Sequence, residues 1–170
     1  MHMDVKMSRF VALRGEYALP VNVKAGRIEI LRAAAQGIYD NLIQYLELPI
    51  WSFTDIDGQQ MPYVSVGSIE GEQFRLRNVS DFVAGAHGLS FAINIVFDEA
   101  VDQFPKAFIL FMLTVDEQND VLTVTSHSTT KGPVVFTGSD FTPISAHIHE
   151  ILCTELLIFK GLPTPVELTS

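Results

Sequence analysis

Residues 107–115 read Ala-Phe-Ile-Leu-Phe-Met-Leu-Thr-Val, a run that is apolar at odd and at even positions. A β-strand sends alternate side chains to opposite faces, so a strand apolar at both parities is covered on both faces. One cover can be a layer of helices. The other can be a helix, a second subunit or a ligand. The run therefore places a sheet at the centre of the fold and leaves its second cover to be found.

The neighbouring sequence supplies the rest of that sheet. Residues 63–69 and 72–79 read as strands joined across Glu70-Gly71, residues 89–97 as a third, and residues 107–115 and 121–127 as two more joined across 116–120. Strands that follow one another through short Gly-, Asn- and Asp-bearing turns pair as antiparallel neighbours. Leu89, Phe91, Ile93, Ile95 and Phe97 alternate with Ser90, Ala92, Asn94, Val96 and Asp98, so one face of this strand meets the core and the other is at most half-covered. Residues 133–138 add an edge strand, because a proline cannot donate to a ladder. Phe10 to Leu13 form a further short candidate strand.

Two helices flank these strands. Over residues 24–48, Ile28, Leu31, Ala35, Ile38, Leu42, Tyr45 and Leu46 recur at three- and four-residue spacing, opposite Glu29, Gln36, Asp40, Gln44 and Glu47. Asn22 is the expected cap and Pro49 the stop. The second helix spans residues 143–160, from the Thr142-Pro143 start to the Gly161 and Pro163 stop. This order predicts an α+β fold: a mainly antiparallel meander sheet of five to six strands, flanked by an N-terminal and a C-terminal amphipathic helix, in a single domain over residues 1–170. A domain of that size buries roughly 70% of the surface its unfolded chain exposes, so neither a disulfide nor a metal is needed to hold it.

Composition narrows the partners. The chain is 48% hydrophobic and 18% charged, against about 25% charged in ordinary globular domains. Apolar surface left to hide points to a homo-oligomer. The formal charge of −9 repels phosphate, which excludes nucleic acid and anionic membrane as partners. A lone cysteine, Cys153, forms no internal disulfide and fits the cytoplasm. The first residues carry no signal-peptide core, and no apolar run approaches the roughly 20 residues of a spanning helix.

Chemistry-bearing residues are sparse. With strands in this register, Arg75 and Arg77 project from one strand, Ser90 and Asn94 from the next, and Thr123, Thr125 and His127 from another, and all are expected on one polar sheet face. Two arginines side by side suit a carboxylate or phosphate, although a solvated sheet face has the same composition. Glu155 falls within the apolar stripe of the second helix, where a carboxylate raises its pKa as a general acid or base does, pairs with a cation, or tilts to the surface. His147 and His149 point to nearly opposite sides of that helix, and His149 with Cys153 makes only two ligands, so no metal is expected. Asp55, Asp57 and Gly58 resemble a calcium loop that lacks its glutamate, since Val66 stands at the twelfth position.

No nucleophile elbow, phosphate loop or dinucleotide fingerprint occurs, and no cofactor is implied. The expected function is accordingly a binding or interaction protein rather than an enzyme: a homodimer that engages a protein partner through its second helix or its two-sided apolar strand. The alternative is a small-molecule binder or enzyme with a pocket between sheet and helix, lined by Phe91, Phe108, Phe111 and Met112. There Arg75, Arg77, Asn94, Thr125, His127 and Glu155 would contact a small apolar or anionic ligand.

Overall fold

The apolar run lies in a central strand of a six-stranded antiparallel sheet. The computed structural model describes residues 21–101, 103–104, 106–127 and 132–159. The candidate strand at residues 10–13 lies outside them. Helix α1 (Val21–Leu46) is followed by a small hairpin of β1 (Ser52–Thr54) and β2 (Gln60–Pro62), then by β3 (Val64–Glu70) and β4 (Gln73–Leu76). A 3₁₀ turn (Val79–Asp81) leads to β5 (Leu89–Phe97), β6 (Ala107–Gln118), β7 (Val121–Ser126), β8 (Val134–Thr137) and helix α2 (Thr142–Phe159). The fold is α+β, with both helices flanking the sheet.

The strand order is β4-β3-β5-β6-β7-β8, and every neighbouring pair is antiparallel. The sheet leaves the meander at one step. After the β3–β4 hairpin the chain crosses β3 through the 3₁₀ turn and enters β5 on its other side, burying Val79 and Phe82 in the core as it passes. That crossover has its own anchor, because the Arg32 guanidinium of α1 donates twice to the Phe82 carbonyl, at 3.1 and 2.8 Å.

The register sorts the side chains into two sets. Leu89, Phe91, Ile93 and Ile95 stand beside Phe111, Leu113 and Val115, all buried under the helices. The even positions of β6, namely Phe108, Leu110, Met112 and Thr114, face the opposite way. Helix α1 adds Leu31, Ala35, Ile38 and Leu42 to the core, and α2 adds Ile144, Ile148 and Leu152. Burial of such side chains stabilises a fold by about 1.5–3 kcal/mol each, before chain entropy is set against it.

The two helices run parallel. Gly37 packs under the Phe141 ring, the Ser145 hydroxyl donates to Asn41 Oδ1 at 2.6 Å, and the Tyr45 and His149 rings meet edge to face. A side chain at Gly37 would bring its Cβ within 2.6 Å of that ring, so the helices approach there only because the residue is glycine. Helix α1 ends at Leu46, while α2 runs on to Phe159 past that end. Among the described residues no helix is long and apolar enough to cross a membrane.

Helix ends differ from the sequence reading in detail. Val21 is already helical, so Asn22 lies within α1 and is not its cap. Glu47 takes the left-handed conformation at φ 49, which ends α1 before Pro49. At the start of α2 the capping oxygen comes from Asp140, whose carboxylate accepts the Thr142 N–H at 3.0 Å and is held below its ordinary pKa by that bond.

Candidate functional site

Among the described residues, helices cover one face of the sheet only. On the other, Phe108 is 66% exposed, Leu76 60%, Val135 59% and Met112 36%. These positions are in register: Gly67 pairs with Leu76 and Ala92, Ala92 with Met112, and Thr125 with Val135. The uncovered face is apolar toward β4 and the start of β6. It turns polar toward β7, where Ser90 Oγ lies 3.0 Å from Thr114 Oγ1, and Thr114 Oγ1 lies 3.0 Å from His127 Nε2.

Of the residues expected together on a polar face, the structure brings Asn94, Thr125 and His127 to this side and Arg75 and Arg77 to the opposite one. Arg75 pairs with Ser68, which shares its face with Val64 and Val66. The β3–β4 connection is only Gly71 and Glu72, and that turn length sets the parity of β4. Arg77 is engaged in an exposed ion pair with Glu70 at 2.5 Å, whose carboxyl it holds below its ordinary pKa, and Arg75 donates to Gln73 at 3.1 Å. The two arginines support the tip of a hairpin. They do not converge with Asn94 or His127.

Glu155 is exposed, not buried in the stripe of α2. Its position on the helical wheel is central, but that stretch of α2 has passed the end of α1 and has no described helix beside it. A cleft of about 570 Å³ opens there, between Leu46, Leu48 and Ile50 after α1, Ile95 and Phe97 of β5, and Leu152 and Leu156 of α2. Cys153 and His149 sit at its edge with Sγ and Nε2 3.7 Å apart. That distance leaves a weak thiol contact. Among the described residues no three His, Cys, Asp or Glu side chains come together to hold a metal.

A second, larger cleft of about 850 Å³ lies at one end of the uncovered face. Its floor is Asn94, Val96, Phe108 and Leu110; its walls are Phe74 of β4, Ile56 of the β1–β2 turn and Phe104 of the β5–β6 connection. Two local features shape it. The Phe74 ring crosses Gly67, where a Cβ would meet that ring at 2.8 Å and the Arg75 carbonyl oxygen at 2.0 Å. Residues 55–58 form a tight turn in which Asp55 Oδ1 accepts the Asp57 and Gln59 N–H groups while Gly58 sits at φ 80. This is the Asp-Gly hairpin signal, and it holds the motif that resembled a calcium loop.

Lys106 locks the two wall segments together. Its ammonium is almost wholly enclosed, donates to Asp98 and to the Val101 carbonyl, and lies 4.6 Å from the Phe53 ring centre and 4.9 Å from that of Phe104. Asp98 also accepts the Tyr63 hydroxyl at 2.5 Å. Burial alone would raise the Asp98 pKa, but the hydrogen bonds from Lys106 and Tyr63 outweigh it and hold the carboxyl below its ordinary value.

Asn94 is the polar exception in the cleft floor. Its Oδ1 is buried and has no hydrogen-bond partner among the described residues. The walls were legible in outline, since Phe108 was expected to line a pocket, but the pocket lies on the face away from the helices and leaves Phe91 and Phe111 in the core. Comparison of the chain with family models, with curated proteins and with solved structures returns no match.

Proposed function

We propose that this is an interaction protein whose uncovered sheet face receives a second copy of the same chain. The observation that carries the reading is the row of exposed apolar side chains Leu76, Met112, Phe108 and Val135 on a face that no described element covers. Several large apolar side chains exposed on one sheet face favour an interaction surface over solvent.

Size and charge favour a second copy as the occupant. Six strands at about 4.8 Å spacing, each about seven residues long at about 3.3 Å rise, make a face on the order of 650 Å². Each partner in a standard interface buries about 800 Å². Two chains of charge −9 repel one another over most orientations. On this face the register places Asp116 at the far end of β6, paired with Arg27 at 2.6 Å, while Asp98 is paired with Lys106 and Glu72 stands at the edge of the cleft at the other end. A two-fold contact centred on β5 and β6 lets identical acidic chains meet with these carboxylates at its margins.

The methionines provide the test. In protein labelled at the methionine methyl groups, dilution should shift the Met112 resonance as the dimer dissociates. Met61, in the β1–β2 hairpin, should stay in place. A Met112 signal independent of concentration, in protein that remains folded, would contradict the reading.

A further inference from the structure

We propose that the cleft at the end of the uncovered face binds a ring-sized apolar molecule carrying a hydroxyl or N–H donor, with Asn94 as its polar contact. The site is lined by residues of one chain and shares Phe108 with the face proposed above to receive a second copy. Its volume of about 850 Å³ falls in the roughly 300–1,000 Å³ range of small-molecule sites. Phe74, Phe104, Phe108, Ile56 and Leu110 line it with aromatic and aliphatic surface, with Glu72 and Gln73 at its edge. The cation at its rim, Lys106, is committed to Asp98, so the cleft does not offer a free ammonium to an anion.

Asn94 is the polar group in the floor of the cleft, where a bound ring would lie. Its Oδ1 is cut off from solvent and has no hydrogen-bond partner among the described residues. An acceptor desolvated without a hydrogen bond is costly, and a ligand that supplies a donor relieves that cost. The terminal torsion of asparagine is soft, so the amide can turn its oxygen toward the cleft when a donor arrives. Ser65, 5% exposed and directly across the ladder from Asn94, leaves space there because its side chain is small. An apolar ligand without a donor would fill the same walls and leave Oδ1 unpaired.

Two probes of matched shape separate these cases. Titration calorimetry of the full chain with 2-naphthol and with 2-methoxynaphthalene gives a ratio of dissociation constants, methoxy over hydroxy. Asn94→Leu should lower that ratio about five- to tenfold, the size expected for one hydrogen bond, while 2-methoxynaphthalene binds at least as well as before. Phe104→Ala, at an exposed wall position, should weaken both probes alike. Should Asn94→Leu fail to fold, Asn94→Ala serves the same comparison. The proposal is overturned if neither probe saturates, if the ratio is the same with and without the Asn94 amide, or if Phe104→Ala changes neither affinity.

Discussion

At the scale of single residues, Lys106 and Arg77 show how much environment decides the worth of an ion pair. Both contact a carboxylate, but the Lys106 side chain is 7% exposed and the Arg77 side chain 48%. Removing one partner of a buried pair costs up to about 3–5 kcal/mol, and partial exposure of Asp98 brings the expectation for Lys106→Met to about 2–3 kcal/mol. Arg77→Met should cost under about 1 kcal/mol, as exposed pairs do. Urea unfolding of both variants checks this, and equal losses would show that the enclosed pair anchors nothing. Glu155→Gln should change stability by less than about 0.5 kcal/mol, because the carboxylate is exposed. A larger loss in the same measurement would restore a structural role for that residue. The sequence made Glu155 look central because a helical wheel treats every turn of a helix as equally covered, and where α1 stops is not written in α2.

At the scale of elements, carboxylates with lowered pKa values tie the ends of strands to their surroundings. Asp98 fastens the end of β5 to Lys106 and Tyr63. Asp116 fastens β6 to Arg27 at the start of α1; burial would raise its pKa, and the bonds from Arg27, Gln118 and the Glu117 N–H more than offset that. For a carboxyl whose folded pKa is depressed, the stabilisation is fully present above the unfolded value of about 3.9 and is lost as pH falls through the folded value. The melting temperature should therefore drop as pH falls below about 4. The Asp98→Asn, Asp116→Asn double variant should be less stable at neutral pH and show a shallower acid decline. A decline as steep as that of the parent chain would assign acid sensitivity to other groups.

The strands themselves were legible. Residues 89–97 are β5 as read, and 107–115 lie within β6. Alternation is enforced by the pleat and survives any tertiary context. Strand parity across the β3–β4 turn was not legible, and Arg75 and Arg77 fell on the wrong face, because a one-residue difference in a turn reverses every side chain beyond it. The crossover through Val79–Asp81 was hidden for a related reason: local sequence encodes a turn but not which side of β3 the chain re-enters. The β1–β2 hairpin did carry its signal, Asp57-Gly58, in a turn whose acidic residues also resemble a cation loop.

At the scale of the whole molecule, both parities of 107–115 had required covers, and the two helices provide one. The odd positions Phe111, Leu113 and Val115 are buried beneath them, and the even positions Phe108 and Met112 remain exposed. Among the described residues, the apolar side chains are thus distributed unequally, with one covered core and one face that no described element covers. Equilibrium sedimentation of the parent chain and of Met112→Asp across the micromolar range tests this most directly. The account predicts a reversible dimer for the parent chain and a folded monomer for the variant. A parent chain that stays monomeric throughout, or a dimer that Met112→Asp leaves intact, would contradict it.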